Sequence, residues 1–224
     1  MSARLPRGGL YAIADTATLA AHGRELATVM GAAMAGGARL VQYRDKTTDH
    51  ARREREAAEL VGLGRAHGVP VLINDDPELA LAVAADGVHL GADDADPDGV
   101  REQLGVGAII GVSCYDQLAR ARAAAETGAD YVAFGRMFPS ATKPGGPRPQ
   151  AGLLRAARRE TGLPVCAIGG ITTANVETVV AAGADFVAVI GDLLLAADVY
   201  HQAATFAALF ERVDAGIDPD GSDS

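Results

Sequence analysis

The sequence predicts a single (β/α)₈ barrel, in which eight parallel strands alternate with helices around one core. Short runs rich in β-branched residues alternate with Ala-rich stretches along nearly the whole chain, and the turns that lead into several strands resemble one another. A doubly wound open sheet would show a similar alternation, but neither of the Gly-rich phosphate-binding motifs typical of such sheets is present. We expect the barrel to span 1–213 and the small, acidic tail at 214–224 to be disordered.

Eight segments have the composition and length of buried parallel strands. They are 10–15, 38–45, 69–75, 87–91, 108–113, 131–135, 165–170 and 186–191. Between them, segments such as 25–37, 53–68 and 117–128 carry apolar residues at helical spacing and finish near a glycine, as a C-terminal cap requires. Each predicted helix therefore leads back to the start of the next strand.

The composition indicates a protein whose partners are small molecules. A formal net charge of −9 argues against a protein that coats nucleic acid, because neutralising phosphates requires a basic surface. The N-terminus has no apolar signal segment and no apolar run is long enough to cross a bilayer, so we expect a cytoplasmic protein without a membrane partner. Cys114 and Cys166 lack metal-ligand spacing and are predicted to be reduced and buried. The sequence leaves a homo-oligomer open.

The second predicted strand ends with polar side chains at every other position. In a barrel of this kind the functional groups lie at the C-terminal ends of the strands. Gln42, Arg44 and Lys46 have a spacing of two, so they point the same way, and two cations beside an amide indicate an anionic ligand. The alternative is that the two cations only pair with carboxylates at the rim, such as Asp45 or Asp49.

Carboxylates follow the third and fourth predicted strands. Asn74 and Asp75 end the third strand, and Asp94 lies in the loop after the fourth. Asp75 and Asp94, placed opposite the cations, fit a Mg²⁺ ion that bridges protein oxygens to substrate phosphates. Asp76 precedes Pro77 and is expected to cap a helix instead.

The remaining strand ends offer groups suited to phosphate. Ser113 closes the fifth strand, and the segment FPSATKPGGP after the sixth has the composition of a loop that covers a substrate. Gly169 and Gly170 lie at the end of the seventh predicted strand, where glycines allow backbone N–H groups to approach an anion, although they could serve only the chain path. His89 lies inside the fourth strand and is expected to be a core histidine with its hydrogen bonds satisfied.

In their order and spacing, these motifs resemble the thiamine-phosphate synthase family over about 11–195. The motifs are QYRDK (42–46), INDD (73–76), GVHLGADD (87–94), GVS (111–113), ADYVAFG (129–135), FPSATK (138–143), AIGGI (167–171) and FVAVIG (186–191). The resemblance implies a Mg²⁺-dependent transferase that condenses 4-amino-2-methyl-5-(diphosphooxymethyl)pyrimidine with 4-methyl-5-(2-phosphooxyethyl)thiazole, or its carboxylated form. The products would be thiamine phosphate and pyrophosphate.

The resemblance also implies roles for individual residues. The pyrimidine diphosphate would be held by Gln42, Arg44, Lys46, Asn74, Ser113 and Lys143, and Arg44, Lys46, Ser113 and Lys143 would act in catalysis. The thiazole phosphate would be held by Ser140, Thr142, Gly170, Ile190 and Gly191, and the metal by Asp75 and Asp94. The sequence departs from the family pattern at Ala92, Tyr115, Arg136, Ser140 and Gly191.

Two other functions stay open at this point. One is a thiazole tautomerase-like isomerase, which would need neither diphosphate nor metal, and which the presence of Gln42, Asn74, Asp75 and Lys143 disfavours. The other is a non-catalytic barrel that binds thiamine precursors. The departures at Tyr115 and Arg136 keep that second alternative open.

Overall fold

The computed structural model describes residues 5–91, 96–139 and 151–214. Eight parallel strands form a closed barrel in which each strand pairs with the next along the chain and the last pairs with the first. The strands are β1 (Gly9–Asp15), β2 (Leu40–Arg44), β3 (Val71–Asn74), β4 (Gly87–Leu90), β5 (Ile109–Tyr115), β6 (Tyr131–Phe134), β7 (Val165–Ile168) and β8 (Phe186–Val189). The predicted (β/α)₈ barrel is therefore confirmed.

Helices separate the strands and cover the outside of the barrel. They are α1 (Thr16–Ala21), α2 (Leu26–Ala35), α3 (His50–His67), α4 (Pro77–Ala82), α5 (Pro97–Leu104), α6 (Leu118–Glu126), α7 (Ala151–Thr161), α8 (Val176–Ala181), α9 (Gly191–Leu194) and α10 (Val199–Asp214). Asp76 accepts a hydrogen bond from the backbone N–H of Leu79 (2.9 Å), so the predicted helix cap is confirmed. Helix α3 ends at Gly68, which adopts the left-handed conformation expected of a C-terminal glycine.

The ends of several strands differ from the prediction. Strand β7 stops at Ile168, because Gly169 and Gly170 take positive φ angles of 106° and 65° that a strand does not accommodate. Strand β5 runs two residues beyond Ser113 to Tyr115, with an irregularity in its pairing to β6 at that point. Helix α10 includes Asp214, and the rest of the predicted tail, 215–224, lies outside the described residues.

Side chains fill the barrel interior. The inward-facing positions of the strands form a compact cluster that includes Tyr11, Tyr131 and Phe186, all fully or almost fully buried. A larger apolar layer between sheet and helices contains Cys114, and Cys166 lies in the inner cluster, so both predicted buried thiols are confirmed. The polar groups at the C-terminal mouth therefore stand on a packed core.

Across the described ranges, no helix is both long and apolar enough to pass through a membrane.

Candidate functional site

The C-terminal ends of β2, β3 and β5 bring six of the predicted site residues to one mouth of the barrel. Lys46, Asn74 and Asp75 are joined directly, Gln42 and Ser113 are joined through three buried side chains, and Arg44 pairs separately with Asp15. The six are Gln42, Arg44, Lys46, Asn74, Asp75 and Ser113. Asp94, Ser140, Thr142 and Lys143 lie outside the described residues, as does Ala92.

Arg44 is held at the mouth by a carboxylate on the neighbouring strand. Its Nη1 donates to Asp15 Oδ2 at the end of β1, and Asp15 in turn accepts hydrogen bonds from the backbone N–H and hydroxyl of Thr18 (2.9 and 2.8 Å). Asp15 is buried, so the guanidinium has a fixed anchor on one side. Asp15 was not predicted as a site residue, although its position as a carboxylate at the end of a strand was a usable signal.

Both cations pair with carboxylates at the mouth, as the alternative supposed, but the two partners it named are wrong. Asp45 is buried and accepts hydrogen bonds from Thr16 and Arg52, and Asp49 caps α3 and lies 4.0 Å from Arg52. The direction of each side chain explains this outcome. Asp45 and Asp49 face α3, whereas Arg44 faces β1.

Lys46 and Asp75 form an ion pair in the mouth. Lys46 Nζ donates to Asp75 Oδ2, and Asn74 Nδ2 donates to the same oxygen at 2.6 Å. The Lys46 side chain is 58% exposed, and exposed pairs contribute only about 0–1 kcal/mol, so this ion pair costs little to break. Asp75 has a φ of 61°, a left-handed conformation that Asp and Asn tolerate better than other non-glycine residues.

Gln42 and Ser113 are anchored from below, inside the barrel. Gln42 is buried and its Nε2 donates to Tyr11 Oη at 2.6 Å, while Ser113 Oγ lies 2.9 Å from His89 Nε2. His89 also contacts Tyr131 Oη through Nδ1 at 2.8 Å, so the predicted core histidine with satisfied hydrogen bonds is confirmed. Burial lowers the pKa of His89 to about 4, against the opposing field of the Asp75 carboxylate, and keeps the imidazole neutral at neutral pH.

The glycines after β7 are required by the path of the chain. A Cβ on Gly169 would lie 2.7 Å from the backbone nitrogen of Arg136, and one on Gly170 would lie 2.6 Å from the carbonyl oxygen of Pro139. The segment after β7 thus packs tightly on the segment after β6. Contact of these glycines with a phosphate stays a prediction.

Ile190 and Gly191 lie beside that segment, at the start of α9. Asp192 of α9 accepts a hydrogen bond from the backbone N–H of Thr173 (3.2 Å), which ties the loops after β7 and β8 together. A Cβ on Gly191 would meet no atom of the described residues within 4 Å.

Two of the family departures meet in one place. Tyr115 and Arg136 both have left-handed backbone angles, with φ of 54° and 60°. With Asp116, Gln117 and Gly135 they line a cavity of about 190 Å³ between the ends of β5 and β6. Arg120 lies over the Tyr115 ring, with 5.7 Å from its guanidinium carbon to the ring centroid.

Comparison with known proteins gives a consistent match over most of the chain. The profile of a family described as "Thiamine monophosphate synthase" matches residues 10–193. A thiamine-phosphate synthase of Nitrosococcus oceani is 50% identical over 198 residues, which cover 88% of this chain and 90% of that protein. One from an Azoarcus species is 51% identical over 206 residues, covering 90% of this chain and 97% of the relative.

Solved structures agree with the sequence relatives. A thiamine phosphate pyrophosphorylase from Pyrococcus furiosus superposes with a TM-score of 0.80 at 31% identity, covering 92% of this chain and 97% of that chain. A 3-hexulose-6-phosphate synthase superposes with a TM-score of 0.64 at 21% identity, covering 90% and 99%, a likeness that concerns the fold alone. On its sequence and its structure, the chain belongs to the thiamine monophosphate synthase family.

Proposed function

We propose that this protein is a thiamine-phosphate synthase, a transferase that joins the pyrimidine diphosphate to the thiazole phosphate, or its carboxylated form, and releases pyrophosphate. The observation that carries the proposal is the meeting of Arg44, Lys46 and Asp75 at one mouth of a barrel of this family. Two cations and a carboxylate in that position suit a diphosphate and a divalent ion. A cytoplasmic location and a homo-oligomeric state stay predictions.

The pyrimidine diphosphate would lie over β2, β3 and β5. Arg44, fixed by Asp15, presents its remaining guanidinium N–H groups to the diphosphate, and Lys46 can turn from Asp75 to a phosphate oxygen. Asn74 and Ser113 would add neutral hydrogen bonds, and Gln42 would contact the pyrimidine end. Lys143 would supply the third cation from the segment after β6.

The use of lysine supports this assignment. The chain contains two lysines, Lys46 and Lys143, against 18 arginines. Both lysines are predicted ligands of the diphosphate. A lysine ammonium is a compact charge on a flexible stem, suited to following a group that departs, whereas arginine suits fixed pairs such as Arg44 with Asp15.

The site residues fit a magnesium ion in their chemistry. In the described part of the chain no three His, Cys, Asp or Glu side chains come together, and Asp94 lies outside that part. Asp75 offers carboxylate oxygens, the ligand type that Mg²⁺ prefers, on a side chain that is 22% exposed at the mouth. Asp75 and Asp94 would hold the ion, which when bound would supply positive charge against the leaving diphosphate.

The reaction needs charge stabilisation rather than proton transfer. The bond between the pyrimidine methylene carbon and the diphosphate oxygen breaks, its electron pair leaves with the diphosphate, and the electron-rich aminopyrimidine ring stabilises the cation. The lone pair of the thiazole nitrogen then forms the new C–N bond. That nitrogen carries no proton, so no general base is required, and Arg44, Lys46 and Lys143 stabilise the developing negative charge. The segment 136–147 would exclude water, which would otherwise trap the cation.

The thiazole phosphate would bind beside this site, at the loops after β7 and β8. Gly170, Ile190 and Gly191 would place backbone N–H groups near its phosphate, and Ser140 and Thr142 would add hydroxyl donors. Gly191 supports this assignment, because a Cβ there would meet no atom of the described residues within 4 Å. The hydrogen bond between Thr173 and Asp192 would keep the two loops in register.

The proposed activity is tested by mixing purified protein with both phosphorylated precursors and magnesium. We expect stoichiometric thiamine phosphate and pyrophosphate, loss of both on chelation with EDTA, and recovery on adding Mg²⁺. Metal-independent isomerisation of a thiazole phosphate would indicate the tautomerase instead. Binding of both precursors without pyrophosphate release would indicate a non-catalytic barrel.

Replacement of Lys143 tests the electrostatic mechanism. Lys143→Ala should lower kcat by about 10²–10³-fold, the loss typical of removing one donor that stabilises transition-state charge. Arg212→Ala is a matched control, because it removes a cation that pairs with Glu177 on the outer helices. Steady-state pyrophosphate release measures both. Near-normal turnover by Lys143→Ala would contradict the role of this lysine.

A pair of adjacent substitutions tests the metal assignment. Asp75→Asn keeps the left-handed backbone but removes the carboxylate, and should raise the half-saturating Mg²⁺ concentration at least about tenfold. Asp76→Asn removes a carboxylate one residue away while retaining the helix cap, so its Mg²⁺ dependence should match the unmodified protein. Equal Mg²⁺ dependence in both variants would rule out Asp75 as a ligand.

A further inference from the structure

A continuous chain of hydrogen bonds crosses the barrel interior between two of the proposed ligands. Gln42 Nε2 lies 2.6 Å from Tyr11 Oη, which lies 3.0 Å from Tyr131 Oη. Tyr131 Oη lies 2.8 Å from His89 Nδ1, and His89 Nε2 lies 2.9 Å from Ser113 Oγ. The chain runs over side chains of five strands: β2, β1, β6, β4 and β5. The hydrogen bonds therefore join side chains that lie far apart in the sequence.

The rings in this chain are held rigidly. Tyr11 packs edge-on against Tyr131, with ring centroids 6.1 Å apart, and His89 stacks on Tyr131 at 5.6 Å. Tyr131 fills the space that a side chain at position 111 would need, since a Cβ on Gly111 would lie 2.0 Å from its Cζ. Because all three rings are buried, each polar atom depends on its partner in the chain.

The chemistry of the first donor sets the direction of every later bond. The Gln42 amide nitrogen can only donate, so Tyr11 Oη accepts that hydrogen bond and donates its own hydroxyl hydrogen in a hydrogen bond to Tyr131 Oη. Tyr131 then donates to His89 Nδ1, which requires the proton of the neutral ring to be on Nε2. His89 Nε2–H then donates a hydrogen bond to Ser113 Oγ. Ser113 is thus left with its hydroxyl hydrogen available for a group outside the chain.

We propose that Tyr11, Tyr131 and His89 are positioning residues that fix this direction, so that Ser113 always offers a hydrogen-bond donor to the diphosphate and Gln42 always offers its carbonyl oxygen to the ligand. The contact with substrate rests on the proposed function, whereas the donor-to-acceptor direction of these hydrogen bonds does not. A serine hydroxyl that could also turn its lone pairs to the diphosphate would stabilise the leaving group less. None of the three rings needs to touch substrate.

Tyr11→Phe tests the direction at a distance. In the chain, Tyr11 is separated from His89 by Tyr131, so a merely local packing role would leave the imidazole unchanged. Without the Tyr11 hydroxyl, the bond between Tyr131 and His89 can run either way. In ¹⁵N-histidine-labelled protein we expect a single Nε2–H tautomer of His89 before the substitution and a mixture after it. His89→Gln assigns the His89 signals among those of the five histidines.

Tyr43→Phe is the matched control. Tyr43 is also almost fully buried on a barrel strand, but its hydroxyl donates to Glu56 of α3 (2.8 Å) and takes no part in the chain. This variant should keep the single His89 tautomer and the original kcat. Should Tyr11→Phe fail to fold, Tyr131→Phe removes the donor to Nδ1 directly and should give the same mixture.

Kinetics separate the positioning role from the proposed function. Tyr11→Phe should lower kcat about two- to tenfold, the value of one oriented hydrogen bond, with the KM for the thiazole phosphate unchanged. A single unchanged tautomer in Tyr11→Phe would overturn the one-way chain. A mixture with full kcat would overturn the positioning role and leave the proposed function standing. If the unmodified protein makes no thiamine phosphate, the proposed function fails while the tautomer result still decides the chain.

Discussion

Closure of the parallel sheet is the constraint on which the rest of the structure depends. Once β8 pairs with β1, every strand ends on the same ring, and every second residue near its end faces the interior or the mouth. Asp15 and Arg44 come from separate segments yet stand side by side for this reason, as do Asn74 and His89. The strand-end part of the site is therefore built by the barrel itself.

The site divides charged groups from neutral ones by depth. At the rim, Lys46 and Asp75 are partly exposed, where an ion pair costs little to break. Below them, Tyr11, Tyr131 and neutral His89 satisfy one another without charge, because an ion buried at that depth would be expensive. The rim therefore carries the charged groups, and the interior carries a neutral network of hydrogen bonds.

Sequence alone predicted the fold, all eight strands and the gathering of Gln42, Arg44 and Ser113 at the mouth, because these follow from alternation and from position along a strand. It did not predict which carboxylate pairs with Arg44. That pairing depends on the register between β1 and β2, which places Asp15 beside Arg44 and which no local sequence pattern indicates. The link from His89 to Ser113 was missed for the same reason, since it crosses between strands. Strand β7 was predicted too long, because the extended pattern concealed the positive φ angles of its two glycines.

The central claim is that cations at the strand ends hold the diphosphate, and the two lysines allow a direct test. Reductive methylation with ¹³C-formaldehyde keeps the charge of Lys46 and Lys143 and gives each a resolved NMR signal, with the N-terminal amine as an internal control. Titration with magnesium pyrophosphate should shift both lysine signals along one saturable curve and leave the N-terminal signal in place. Lysine signals that stay unchanged while calorimetry shows pyrophosphate binding would contradict the account.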